Sequence, residues 1–164
     1  MRNDEGKKIA LGGLMAALAI VIMCLGGFVP VATYVCPVLC TLIGNVVFKF
    51  CGRKIAWTWY CAVCLLSILF SPDKEAAVVY IFLGFYPYIK PYLDRYKLRI
   101  LFKVFYFNIF ALLTYIFLLW ILGLTAILQE YRAMGYVGIV LILVLGNITF
   151  FMLDALLGRH IKKR

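Results

Sequence analysis

"IALGGLMAALAIVIMCLGGFVPVATYVCPVLCTLIGNVVF", from Ile9 to Phe48, contains no charged side chain. About 20 apolar helical residues cross a hydrocarbon core roughly 30 Å thick, so this stretch is long enough for two crossings. Gly26, Gly27 and Pro30 divide it, because glycine weakens a helix and proline lacks the amide donor that continues one. The division predicts helix 1 over Ile9–Val29 and helix 2 over Ala32–Phe48. Pro37 then falls in the first turns of helix 2, where a missing N–H costs least. Working outward, the remaining apolar runs predict helix 3 over Ile55–Phe70, helix 4 from Ala76 to about Ile89, helix 5 over Ile100–Leu124 and helix 6 over Tyr136–Leu157. Helix 4 is short and carries Pro87 near its end, with Pro91 just beyond; a re-entrant or partly irregular segment is the rival reading there.

The composition agrees with a chain dissolved in lipid. Apolar residues make up 66% and charged residues 15%, against about 45–50% and about 25% in soluble domains. The expected fold is therefore all-α: a polytopic membrane protein, a six-transmembrane-helix bundle forming one domain over residues 1–164. The first apolar run is too long for the core of a secretory signal, and no A-x-A-like cleavage site follows it. It is expected to stay as a signal-anchor.

A net charge of +10 raises the possibility of nucleic acid, but the placement of the cations argues for membrane topology instead. With six crossings, one side receives Arg2, Lys7 and Lys8; Lys49, Arg53 and Lys54; Lys90, Arg95, Lys97, Arg99 and Lys103; and Arg159, Lys162, Lys163 and Arg164. Of the seventeen Lys and Arg, the other side keeps only Lys74 and Arg132, against Asp73, Glu75 and Glu130. Cytoplasmic loops carry the excess of Lys and Arg, so both termini are expected in the cytoplasm. The bilayer is the expected partner, and nucleic acid is not.

This topology puts "SPDKEAAVVY", Ser71 to Tyr80, on the outer side. Ser71-Pro72-Asp73 reads as a turn into a helix, with Asp73 as N-cap and Glu75 in the first turn, where the helix dipole favours an anion. Lys74 and Glu75 are then either parts of a capped turn or contacts for a ligand at the mouth of helix 4. Tyr34, Tyr80, Tyr115, Trp120 and Tyr136 fall toward the same outer half, with Glu130 and Arg132 above them. Apolar walls with a few polar groups are the chemistry of a small-molecule site. An interfacial aromatic belt beneath solvated loops leaves the same trace.

Three further patterns have two readings each. Six cysteines include Cys36 and Cys40 at i, i+4 and Cys61 and Cys64 at i, i+3, each pair on one helical face. They suit a thiolate site or packing as small apolar residues, and with no charge nearby to lower a thiol pKa packing is the expectation. Gly12-x-x-x-Ala16 and Gly13-x-x-x-Ala17 form a small-residue stripe that lets helices approach closely, within the bundle or onto another membrane protein. Asn45, Asn108 and Asn147 lie in apolar helices, where an amide needs a partner across a helix interface; Asn147 is the one placed to touch a ligand. Asp154 is expected near the cytoplasmic interface, reaching Arg159 or lipid headgroups.

Catalytic patterns are absent. There is no H-E-x-x-H, G-x-S-x-G or Walker loop, and the single histidine, His160, sits in the basic tail. The expectation is a protein that is not an enzyme and holds no metal or cofactor.

The six-helix size, the inward termini and the stripe in "KKIALGGLMAALAIV" (Lys7–Val21) together resemble the substrate-binding S components of energy-coupling factor (ECF) transporters. That family uses an alanine-x-x-x-alanine pattern on its first helix to dock onto a transmembrane coupling subunit driven by two ATPases. The resemblance implies docking through Gly12, Gly13, Ala16 and Ala17, capture of a vitamin or similar small micronutrient from outside, and a bacterial plasma-membrane location. It places Lys74, Glu75, Tyr34, Tyr80, Tyr115, Trp120, Glu130, Arg132, Tyr136 and Asn147 around the substrate. The nickel and cobalt branch relies on an N-terminal histidine that this chain lacks, so metal uptake is not expected. The alternative is a non-catalytic structural subunit of a bacterial membrane complex, with the stripe as its interface; a small redox subunit using the cysteine pairs is the third reading.

Overall fold

The computed structural model describes the backbone of residues 2–26, 32–96, 98–120 and 125–159; the side chains of 2–4, 118–119, 125–134, 136–139, 142 and 159 lie outside the description. The regular elements in these segments are all helices: α1 (Arg2–Gly26), α2 (Ala32–Cys51), α3 (Arg53–Phe70), α4 (Lys74–Gly84), α5 (Tyr86–Leu93), α6 (Arg99–Trp120) and α7 (Thr125–Arg159). Four stretches among the described residues are long and apolar enough to cross a membrane: Glu5–Gly26, Ala32–Cys51, Arg53–Phe70 and Arg99–Phe117. A shorter apolar stretch covers Leu143–Gly158. An all-helical chain with membrane-length apolar helices is thus what the sequence folds into.

Helix starts and ends follow local chemistry. Gly52 links α2 to α3 at φ 90°, a left-handed conformation that side chains other than glycine resist. This lets α3 begin two residues after α2 ends. Asp73 caps α4, its Oδ1 accepting from the Ala76 amide at 3.1 Å, as the sequence predicts. The expected helix 4 is two helices. Pro87 has no amide to continue the ladder; the chain turns at Phe85, and the Tyr88 amide donates to the Phe85 carbonyl at 3.2 Å. α7 is also interrupted: Gly135 takes φ 66°, ψ −176°, so a separate helical segment starts at 136, where the expected helix 6 begins.

The chain divides into two compact units, 1–91 and 92–164. In the first, α1 packs on α2 and α3, α2 on α3 and α4, and α3 on α4. Its core holds Ala19, Met23, Cys40, Val47, Ala56, Val63, Ala76 and Tyr80. Small residues at the crossings bring backbones close: the Trp59 ring lies where a Cβ on Gly44 would stand, 2.9 Å away. Without a hydrophobic drive between lipid-exposed helices, such close packing and interhelical hydrogen bonds hold them together. Outward faces are apolar too, with Leu14, Leu18, Val21, Leu65 and Leu69 exposed. In the second unit α6 packs on α7, around Phe107 and Phe150 stacked at 4.9 Å.

Candidate functional site

One end of the first unit gathers the polar groups of "SPDKEAAVVY". The Ser71 hydroxyl donates to the Met23 carbonyl at 3.3 Å, and the Cys24 thiol points to the Phe70 carbonyl at 3.7 Å. These contacts bring the end of α1 against the α3–α4 turn. The Tyr34 hydroxyl, from the first turn of α2, donates to Glu75 Oε1 at 2.8 Å. Four helix ends therefore meet here, and Tyr34 and Glu75 form a polar bridge at the lip. Tyr34 is 52% exposed.

Lys74 is engaged differently. Its ammonium donates to the Ile68 carbonyl at 2.7 Å, one of the last carbonyls of α3, which lack intrahelical partners. A cation at a helix C-terminus also complements the helix dipole. Asp73 and Lys74 are thus caps on two successive helices, and only Glu75 of the three charges reaches across to α2.

Tyr80 lies deeper, 1% exposed, with its ring 6.2 Å from Tyr60. It belongs to an aromatic core with Trp57, Tyr60, Phe85 and Tyr88, the last two pairing with Trp57 at 5.5 and 4.9 Å. The Tyr60 hydroxyl donates to the Ile81 carbonyl and the Tyr88 hydroxyl to the Ala56 carbonyl at 2.9 Å. These bonds satisfy phenols that would otherwise be buried at a cost.

The remaining expected site residues fall in the second unit. Tyr115 is half-buried and Trp120 exposed. The side chains of Glu130, Arg132 and Tyr136 lie outside the described residues. Asn147 pairs with Asn108 in a reciprocal amide exchange: Asn108 Nδ2 donates to Asn147 Oδ1 at 3.3 Å, and Asn147 Nδ2 to Asn108 Oδ1 at 3.4 Å. Each Nδ2 also donates to a carbonyl one turn back, Val104 and Leu143, at 2.8 Å. The amides so engaged tie α6 to α7.

A second polar group on this interface was not among the sequence candidates. Lys103 is buried, its ammonium 2.9 Å from Asp154 Oδ2 and bound also to Asp94 Oδ1. Asp154 therefore meets Lys103; the side chain of Arg159, the partner expected from the sequence, lies outside the described residues. The signal lay in the sequence: a carboxylate inside an apolar helix needs a countercharge, and Lys103 lies inside the apolar run of α6.

The helix 1 stripe divides by face. A Cβ on Gly12 would stand 3.6 Å from Ile55 Cγ2, and Ala16 packs against the core. Gly13 and Ala17 are exposed, with nothing within 4 Å of a Cβ on Gly13. The cysteines donate to backbone: Cys40 to the Ala19 carbonyl at 3.4 Å and Cys51 to the Lys8 carbonyl at 3.3 Å. All six are free thiols. Among the described residues no group of three or more His, Cys, Asp or Glu could hold a metal ion. No family model matches the sequence, and neither the curated proteins nor the solved structures yield a match.

Proposed function

We propose that this chain is a membrane-embedded binding subunit that captures a vitamin or similar small micronutrient at the end of its first unit where four helices meet. The observation that carries this is the Tyr34–Glu75 hydrogen bond at a half-exposed lip. A carboxylate held by a phenol offers a ligand an acceptor already oriented by the fold. Lys74 is committed to the Ile68 carbonyl, so a carboxylated substrate would have to draw it away. A substrate with hydroxyl or ammonium donors is the chemical complement of the Glu75 carboxylate. In this reading α4 and α5 together make the fourth of six crossings. Both termini lie in the cytoplasm of a bacterial cell. The exposed Gly13–Ala17 face docks onto a membrane coupling subunit with two ATPases, as in the S components of ECF transporters.

A structural subunit of a membrane complex is the second reading, favoured by the engagement of Asp73 and Lys74 as helix caps. Native mass spectrometry of the chain, extracted gently from its own membranes, separates the two. The binding reading expects a co-purifying small molecule whose occupancy falls at least tenfold in Glu75→Gln and in Tyr34→Phe. A ligand-free chain bound to envelope proteins would overturn it in favour of the structural one.

A further inference from the structure

The start of the second unit is basic and apolar at once. "YLDRYKLRILFK", Tyr92 to Lys103, holds the cations Arg95, Lys97, Arg99 and Lys103 against a single carboxylate, Asp94. The structure pairs that carboxylate with the last of the cations. Lys103 is buried and binds Asp94 together with Asp154, so the acid beside Arg95 is held elsewhere. The unit's other carboxylate, Glu130, stands before the break at Gly135, near the start of α7. The contacts of 103 with 154 and 108 with 147 bring the opposite end of α7 to the start of α6.

Between α5 and α6 the chain turns tightly. The Arg95 amide donates to the Tyr92 carbonyl at 3.2 Å and the Tyr96 amide to the Leu93 carbonyl at 3.4 Å. Arg95 and Arg99 are both exposed, and among the described residues neither has a carboxylate partner. Lys97 lies outside the described residues. The Arg95 guanidinium lies over the Tyr92 ring, 5.9 Å from its centre. A guanidinium that rests on an aromatic face keeps its in-plane N–H fork for a phosphate or carboxylate.

The residues interleaved with these cations are apolar. Tyr96, Leu98, Ile100 and Leu101 are all exposed, and the Tyr96 ring meets that of Phe102 at 5.4 Å. Water suits the guanidiniums and not these side chains, and hydrocarbon does the reverse. The headgroup layer satisfies both. Arg99 opens the membrane-length stretch Arg99–Phe117, which puts the turn at the edge of a span whatever the number of crossings.

We propose that this turn is a binding site for an anionic phospholipid, with Arg95 and Arg99 on the headgroup phosphate and Tyr96, Leu98 and Ile100 against the upper acyl chains. Cations beside a membrane span draw anionic lipid, each contributing about 1 kcal/mol. An acidic protein surface would meet the guanidiniums but leave the apolar side chains between them in water. The site is independent of the ligand lip on the first unit.

The test uses the full chain in a neutral detergent, with phosphatidylglycerol and phosphatidylcholine of identical acyl chains, followed by native mass spectrometry and thermal unfolding. Phosphatidylglycerol is expected to stay bound and raise the unfolding midpoint, and phosphatidylcholine to do neither. Arg95→Gln and Arg99→Gln should each weaken phosphatidylglycerol about fivefold, and the double variant by roughly the product of the two. Lys74→Gln should leave its affinity unchanged. Both arginines are exposed and outside the Lys103 ion pairs, so the lipid-free midpoint of each variant is expected to match that of the parent chain. Equal retention of both lipids, or unchanged phosphatidylglycerol affinity in the double variant, overturns the proposal. Inorganic phosphate that raises the midpoint alone, with no further rise from lipid, assigns the arginines to a free anion and overturns the lipid assignment.

Discussion

Single side chains decide how closely the helices of the first unit approach. Gly44 faces Trp59 so tightly that a methyl group would stand 2.9 Å from the ring, and Trp59 is buried with little room to move. Gly44→Ala is expected to cost about 1–3 kcal/mol, the range for overpacking a filled core. Thermal unfolding in detergent checks it, with Gly13→Ala as the comparison expected to lose nothing and to gain up to about 1 kcal/mol from helix propensity, since open space surrounds Gly13. The Asp73 cap was legible at this scale, because its reading depends on neighbours three residues away. The Tyr34–Glu75 bond was not, because it joins positions 41 apart in the chain. Lys74 shows the same limit. Its charge was visible, but its engagement by the Ile68 carbonyl depends on how tightly the chain turns at 71–73.

At the scale of elements, the α6–α7 pair carries the Lys103–Asp154 ion pair and the Asn108–Asn147 amide pair in an apolar setting. Removing Lys103 leaves the Asp94 and Asp154 carboxylates facing each other without their cation. Lys103→Met is expected to cost about 3 kcal/mol, the lower end for breaking a buried ion pair. Asp154→Asn should cost more than Asp94→Asn, since the Asp154 side chain is 15% exposed and that of Asp94 34%, and exposure screens charge. Denaturation of the three variants ranks them; equal losses for the two aspartates would contradict the burial argument. The asparagine pair calls for a double-mutant cycle. Asn108→Leu or Asn147→Leu alone is expected to lose about 0.6 kcal/mol, typical for a polar contact between membrane helices, and the double variant to lose less than the two single losses added, because no amide is then left unpartnered. Most helix limits were legible from apolar runs and glycines. The break between α4 and α5 was legible only as an alternative, since Pro87 can kink a helix or end it depending on what packs around it.

For the whole molecule, the prediction concerns sidedness. With six crossings, a reporter fused after Arg164 and one at the N-terminus should both read cytoplasmic, and one inserted at Pro72 should read external. A cytoplasmic reading at Pro72 would overturn both the crossing count and the assignment of the Tyr34–Glu75 lip as a port for external ligand.

By itself the sequence determined that the chain is helical and apolar enough to enter a membrane, and where most helices begin and end. Those properties follow from local composition: charge-free length, glycine and proline positions, and capping residues act within a turn or two of where they stand. The tertiary structure alone decided which polar groups meet. It seated Tyr80 in an aromatic core, turned Gly12 and Ala16 inward and left Gly13 and Ala17 outside, and brought Asp154 to Lys103. Each of these depends on the rotation of one helix about its axis relative to another. Where both the core and the lipid-facing side are apolar, hydropathy carries little information about that rotation, and packing shape and a few hydrogen bonds set it.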